Sequence, residues 1–190
     1  MMQFTHTKKL IRKHAAKQRG MTFIEVLVAS IIMVTGIFGS VAMQATAKQS
    51  SFDAMQRSLA SSLAQDLIEK MRGNKESNLS LYAAKSPYGT GKIGSAPTCN
   101  SSSTLCTSTQ MVTHDLFGWE QALMGATVKN ENNNVGGFVG GIGCVSVNGQ
   151  AVTVVITWQG RIQSVDGNKA ANCGSSASTR RQIVVSAFII

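Results

Sequence analysis

The longest apolar segment of the chain lies close to its N-terminus. Residues 26–43 are 18 consecutive positions without a charged side chain, the length at which a segment becomes a candidate membrane-spanning helix. The residues before it are basic, since residues 1–20 carry six lysines and arginines and no acid. Basic residues favour the cytoplasmic side of a membrane. We therefore expect the N-terminus to stay inside and the chain after about Met43 to be exported.

A helical pattern continues beyond the apolar segment. No proline occurs between Met21 and Arg72, and apolar residues recur three or four positions apart at Phe52, Met55, Leu59, Leu63, Leu67 and Met71. This spacing predicts one helix over residues 21–73 that spans the membrane over about 24–43 and packs its apolar stripe on a soluble domain. Two i,i+4 ion pairs are expected on its other faces, Asp53–Arg57 and Asp66–Lys70.

Residues 74–190 predict a small globular domain with a variable loop and an antiparallel sheet. Residues 75–110 are rich in small polar residues and hold both prolines. A short helix is expected from Asp115, its N-cap, to Gly125. Strand patterns follow at 135–147, 151–158 and 182–190, with the glycine-rich positions 136–141 allowing a bulge. The fold class is therefore α+β, a long N-terminal helix on a small antiparallel sheet.

Charge and candidate chemistry exclude several functions. The net charge is +9, but with the six basic residues of 1–20 removed, 12 basic and 9 acidic residues remain, a net of +3. We therefore expect no nucleic-acid partner. The expected exported part holds one histidine, His114, and no nucleophile, phosphate-binding or paired-carboxylate motif. We expect no catalytic residues, no cofactor and no enzyme activity.

Four cysteines occur in the C-terminal half: Cys99, Cys106, Cys144 and Cys173. Their intervals of 6, 37 and 28 residues lack the close spacing of a zinc site, so we expect disulfides and no metal. Three pairings are possible. We favour Cys99–Cys106 and Cys144–Cys173, because each joins cysteines that are nearest in sequence.

Three interpretations of the N-terminal region remain open on composition. One is a secretory signal cut near Ala45-Thr46-Ala47, although the apolar segment is longer than usual and Glu25 lies at its start. The second is an uncleaved anchor. The third is a leader, residues 1–20, removed between Gly20 and Met21 so that the apolar helix is retained.

A short motif ahead of the apolar segment resembles the type IV prepilin signature: Gly20-Met21-Thr22-Phe23-Ile24-Glu25. The resemblance implies that a prepilin peptidase cuts after Gly20 and methylates the new N-terminus at Met21, which stands where that family usually has Phe. Residues 20–74 further resemble the minor pilins called PilV, which are related to minor pseudopilins of type II secretion. Trp119-Glu120 and residues 152–158 resemble that family's C-terminal domain loosely.

The resemblance implies a type IV pilin-like fold and a minor pilin that helps to start pilus assembly in a tip-proximal complex. The implied partners are the prepilin peptidase, other minor pilins, the major pilin, the assembly platform and inner-membrane lipid. The chain would wait in the inner membrane with its C-terminal domain in the periplasm, and then enter the pilus. The alternatives are a type II secretion minor pseudopilin and a membrane-anchored periplasmic enzyme or ligand-binding domain.

Glu25 has two candidate roles. Thr22 and Glu25 match the spacing of a capping box at a helix start. After cleavage, the Met21 ammonium also becomes available, and it is mostly charged at neutral pH. The family resemblance implies that Glu25 of one subunit pairs with the Met21 ammonium of its neighbour in the filament.

Overall fold

The structure, a computed structural model, describes residues 20–99, 105–126, 128–131, 133–163, 166 and 172–190. The expected leader therefore lies outside the described residues except for Gly20. The chain divides into two compact units, Met1–Ala45 and Thr46–Ile190. Helix α1, Phe23–Arg72, begins in the first unit and ends in the second. The second unit contains all of the buried core.

The α+β prediction is confirmed in the second unit. Helix α2 is Leu79–Ala83 and helix α3 is Ser108–Met124. The strands are β1 Lys129–Asn130, β2 Asn133–Asn134, β3 Ile142–Asn148, β4 Ala151–Gln159 and β5 Arg180–Phe188. Strands β3, β4 and β5 form an antiparallel sheet in that order, and β1 pairs with β2 in a separate two-stranded sheet.

The buried face of α1 differs in part from the predicted stripe. Leu67 and Met71 are fully buried as expected, but Met55 is 58% exposed. The buried positions are Gln56, Ala60, Ala64, Leu67, Ile68 and Met71. The alanines face the core because their small side chains let the helix approach its neighbours closely, so side-chain size outweighs hydrophobicity in setting the buried face.

Of the two ion pairs predicted within α1, the prediction of Asp53–Arg57 is wrong. Lys70 Nζ lies 2.8 Å from Asp66 Oδ2, as predicted. Arg57 instead places Nη2 2.7 Å from Asp166 Oδ1, and Asp53 Oδ2 lies 3.2 Å from Arg181 Nη2. Both side chains therefore connect α1 to the sheet region, where partial burial strengthens an ion pair more than at an exposed helix surface.

Helix α3 begins earlier than predicted. Thr107 is its N-cap, and a capping box joins the Thr107 and Gln110 side chains to each other's backbone N–H groups. Asp115 is therefore not a cap but a buried residue of the third turn, where its Oδ2 accepts a hydrogen bond from Tyr82 Oη at 2.8 Å. The predicted end is confirmed, because Gly125 takes the left-handed conformation with φ 67° that glycine adopts readily.

The glycine-rich residues 136–141 do not form the bulged strand that the sequence suggested, and β3 begins only at Ile142. Phe138 N–H donates to Leu123 O at 3.2 Å, and Gln159 N–H donates to Val139 O at 2.9 Å. The segment thus packs its backbone on the end of α3 and bonds to the last residue of β4 without forming a strand. A Cβ at Gly137 would lie 2.7 Å from Leu123 O, which explains why this approach requires glycine.

The inner face of the sheet packs on the helices. Val152, Val154 and Ile156 of β4 are fully buried, as their alternation predicted. Trp119 of α3 lies over this region and donates its Nε1–H to Leu63 O of α1 at 2.9 Å. Its ring meets Tyr88 edge-on, with 5.7 Å between centroids. Burial of each such side chain contributes roughly 1.5–3 kcal/mol to folding.

Gly143 of β3 provides a test of this packing. A Cβ there would lie 2.7 Å from Trp119 Cζ3 and 2.8 Å from Leu123 Cδ1. We expect Gly143→Ala to lower the free energy of unfolding by about 1–3 kcal/mol through overpacking. Gly118 is the matched control: it is exposed, lies within α3 and has nothing near its would-be Cβ. Gly118→Ala should stabilise by up to about 1 kcal/mol. Equal denaturation midpoints for the two variants would contradict this account.

Two disulfides are present, Cys99–Cys106 and Cys144–Cys173, and these are the pairings that the sequence favoured. The first closes a loop of which residues 100–104 lie outside the described part. The second ties β3 to the segment before β5. Cys173 is buried beside β4, and the adjoining Gly174 lies close to Thr157, so this segment covers part of the outer sheet face.

Candidate assembly site

The residues of the prepilin-like motif lie at the start of α1. Gly20 and Met21 precede the helix, and Glu25 lies in its first turn. Glu25 N–H donates to Thr22 O at 3.1 Å. Residues 20–24 are exposed, and Met21 is 77% exposed. The peptide bond after Gly20 therefore lies on an exposed, non-helical segment.

The carboxylate of Glu25 has no hydrogen-bond or ion-pair partner among the described residues, and neither has the hydroxyl of Thr22. The side-chain bonds of the expected capping box are thus not formed. Helix formation at this end relies on backbone bonds alone. The carboxylate remains available to a group from another molecule.

The helix after Glu25 is exposed and apolar on all sides. One helix in the described residues, Phe23–Arg72, is long and apolar enough to cross a membrane, and none of its apolar window is buried. A secretory signal would pass the same test. The hydroxyls within this segment return to the helix backbone: Ser30 Oγ–H donates to Val26 O at 2.8 Å, and Thr35 Oγ1–H to Ile31 O at 3.0 Å. These bonds satisfy the polar groups, as an apolar environment requires.

A functional residue whose role sequence reasoning missed is Glu120 of α3. It is fully buried, and its carboxylate accepts five backbone hydrogen bonds from one loop. Oε1 accepts from the N–H groups of Gly89, Thr90, Gly91 and Lys92 at 2.9–3.3 Å, and Oε2 accepts from Ile93 at 2.9 Å. Gly89 and Gly91 have φ values of 99° and 73°, which turn successive N–H groups toward one anion.

Glu120 therefore holds residues 89–93, in the connection between α2 and α3, on the body of the domain. Burial alone would raise the pKa of Glu120, but the backbone donors outweigh it and hold the pKa below its usual value. The carboxylate is charged at neutral pH with its charge neutralised by oriented dipoles. The sequence signal was present, since a glycine-spaced loop and a glutamate within a predicted helix were both visible, but their pairing was not.

A second polar network joins α1 to the helices that follow. Asn74, just after α1, donates its Nδ2–H to Ser108 O at 3.0 Å and to Tyr82 Oη at 3.3 Å. Tyr88 Oη–H donates to Tyr82 O. Burial, with the bond to Asp115, raises the pKa of Tyr82 above its usual range, so this hydroxyl stays a donor at physiological pH.

The described part of the chain offers little for catalysis. It contains no group of three or more histidine, cysteine or acidic side chains placed to hold a metal. A cavity of about 130 Å³ between α2 and α3 is lined mainly by aliphatic and threonine side chains, including Leu81, Ile93 and Val112. His114 Nδ1 lies 3.0 Å from Pro97 O, a structural contact.

The comparisons with known proteins add independent information. A family model described as "Tt1218-like: Type IV pilin Tt1218" matches residues 42–117. This match supports a type IV pilin. It lies beyond the Gly20–Glu25 motif, so motif and match point to the same class from separate parts of the chain. No curated protein and no solved structure gave a significant match. A pilin is a structural subunit, contacting other pilins and the pilus machinery.

Proposed function

We propose that this chain is a minor pilin of the PilV type, made as a prepilin and assembled near the pilus tip. The observation that carries the proposal is the placement of Gly20 and Met21 just before, and of Glu25 in the first turn of, an exposed apolar helix that continues into the second unit. The pilin family match supports the class. The density of the PilV resemblance over residues 20–74 supports the subclass.

The proposed life of the subunit has two stages. In the first, residues 24–43 span the inner membrane and the domain from residue 74 onward lies in the periplasm. In the second, the peptidase has removed residues 1–20, Met21 is methylated, and the assembly platform moves the helix into a filament. There, Glu25 meets the Met21 ammonium of a neighbouring subunit. This pairing is supported by the Glu25 carboxylate, which has no partner within the described part of its own chain.

Processing at Gly20 is the direct test. Gly20→Val places a branched side chain at the bond that the peptidase must approach, and we expect the full-length precursor to accumulate. Wild-type chain should yield a methylated Met21 N-terminus by mass spectrometry. Gly36→Val, within α1 and with open space around its would-be Cβ, is the matched control and should be processed normally. A start at Met1 or after Ala47 in wild-type protein, or maturation of Gly20→Val, overturns the assignment.

A type II secretion pseudopilin shares this chemistry, because it is processed and anchored in the same way. The minor pilin and the pseudopilin are distinguished by the proteins with which the mature chain associates, not by its processing. Mature chain that co-purifies with sheared pili supports the minor pilin, whereas association with secretion components alone supports the pseudopilin.

A further inference from the structure

The outer edge of β5 is half covered and half open. Ile189 N–H donates to Gln150 O, continuing the ladder with β4, so in this antiparallel pair the odd-numbered residues of β5 bond to β4. The even-numbered residues then direct their backbone N–H and C=O groups away from β4. At the start of β5 the chain covers this edge itself: Asp166 N–H donates to Arg180 O at 3.3 Å, and Asp166 Oδ2 accepts from Gln182 N–H at 3.0 Å.

Beyond Gln182 the edge is open. Among the described residues, the outward N–H and C=O groups of Val184, Ser186 and Phe188 have no hydrogen-bond partner. Proteins usually protect such an edge with charge, proline or a bulge. The side chains of residues 183–190 carry no charge, no proline occurs among them, and the β4–β5 register is continuous without a bulge.

The opposite edge of the sheet is not equivalent. At β3, Gly143 exchanges backbone bonds with Tyr88 at 2.7 and 3.0 Å, and Val145 N–H donates to Ser86 Oγ at 3.3 Å. That edge is therefore covered at Gly143 and in part at Val145. Strand β5 alone in this sheet offers three successive outward residues in the described part of the chain.

We propose that this open edge, residues 184–188, binds an extended segment of a partner protein as an added β-strand. The unpaired donors and acceptors specify backbone as the ligand. Asp166 limits the length of the added strand, because its carboxylate already accepts the outward N–H of Gln182. The uncharged surroundings, with Phe188 60% exposed, select uncharged side chains on the segment.

The partner is a different chain rather than a second copy. Two copies joined antiparallel through β5 form an isologous pair, and Asp166 of each copy limits their strand contact to residues 184–188. So short a contact falls well below the roughly 1,200 Å² that a stable interface between folded proteins buries, whereas an extended segment needs only the backbone groups of the open edge.

Amide hydrogen exchange on the full chain in lipid nanodiscs tests the proposal. The probe is a synthetic peptide of alternating threonine and valine with a lysine at each end, and the control is the same peptide N-methylated at every residue. We expect the unmethylated peptide to slow exchange at Val184, Ser186 and Phe188 by about tenfold or more, and to leave Gln182 and the β3 edge unchanged. Ser186→Pro removes the central donor and keeps the backbone bonds to β4, although the side-chain bond to Thr153 is lost, and should abolish the protection; Ser186→Ala, which loses only that side-chain bond, should keep it.

Three outcomes overturn the proposal. The first is no slowing at these amides up to the solubility of the peptide. The second is equal slowing by the methylated peptide, since backbone donors are then not required. The third is protection that rises with protein concentration in the absence of peptide, which would assign the edge to a second copy. None of these outcomes depends on processing at Gly20, so failure of the strand-addition proposal is distinguishable from failure of the pilin assignment.

Discussion

Glu120→Gln is expected to lower the free energy of unfolding by about 2–4 kcal/mol, because one amide oxygen replaces a carboxylate that accepts five backbone bonds. Glutamine can still accept at the Oε1 position, but its NH₂ group then faces the Ile93 N–H, and a buried donor loses its acceptor. Glu120→Ala should cost more than about 4 kcal/mol, since all five donors lose the anion. Urea denaturation of the purified chain measures both.

Glu69→Gln is the matched control. Glu69 lies on an exposed face of α1 and pairs with Arg72 at 2.5 Å, with its side chain 65% exposed. Such a pair contributes at most about 0.5 kcal/mol. A Glu120→Gln variant no less stable than Glu69→Gln would show that the loop is held by other contacts.

The contribution of Glu120 to folding stability should depend on pH in a defined direction. Because the pKa of Glu120 is lower in the folded chain than in the unfolded chain, its contribution to stability is fully present above the unfolded value, about 4.3. It is lost as the pH falls from there through the folded value. The wild-type chain should therefore lose stability on acidification below about pH 4.5, and Glu120→Gln should lose less over the same interval. Parallel curves for the two proteins would contradict the assignment.

Glu25→Gln is expected to abolish assembly while leaving the mature subunit at its normal level in the membrane. Removing the carboxylate takes a charge costing about 2.5–3.5 kcal/mol at mid-bilayer out of the apolar segment, so insertion is unharmed. The Met21 ammonium, however, would enter the filament core without a partner. An unpaired buried charge costs about 3–5 kcal/mol, a factor of several hundred or more in the assembly equilibrium.

The measurement is pilus yield beside the amount of processed subunit. Glutamine keeps the shape and the capping capacity of the side chain, so it separates charge from packing. Thr22→Ala is the control, since it removes the hydroxyl that a capping box would need and keeps Glu25. Normal piliation in Glu25→Gln, with loss in Thr22→Ala, would favour the capping role over the intersubunit pair.

Local signals in the sequence predicted much of the fold and of the candidate site. Hydrophobic alternation at Val152, Val154 and Ile156 identified β4, and the glycine at position 125 marked the end of α3. These local signals did not reveal the tertiary contacts. Asp53 and Arg57 have the spacing of a helix pair, yet each has a partner more than a hundred residues away. Nothing in i,i+4 spacing can reveal a competing partner of that kind.

The contacts of Glu120 could not be predicted from the sequence either. A buried carboxylate satisfied by backbone N–H groups leaves no complementary charge in the sequence, so no pair of residue types signals it. The start of α3 was predicted wrongly for a different reason. Asp115 is as good a cap as Thr107 by residue type, and only its burial against Tyr82 decides between them.

The two ion pairs between α1 and the sheet region have a mechanical consequence. In the proposed filament, tension loads each subunit through its helix, and Asp53 and Arg57 lie one turn apart in the part of α1 that belongs to the second unit. Asp53 passes the load to Arg181 of β5, and Arg57 passes it to Asp166, which is bonded to the Gln182 N–H of β5. From there the nine-residue register with β4 spreads it over many bonds acting in parallel. Force thus enters the domain as shear along a strand ladder, and the apolar core between helix and sheet is spared from carrying it alone.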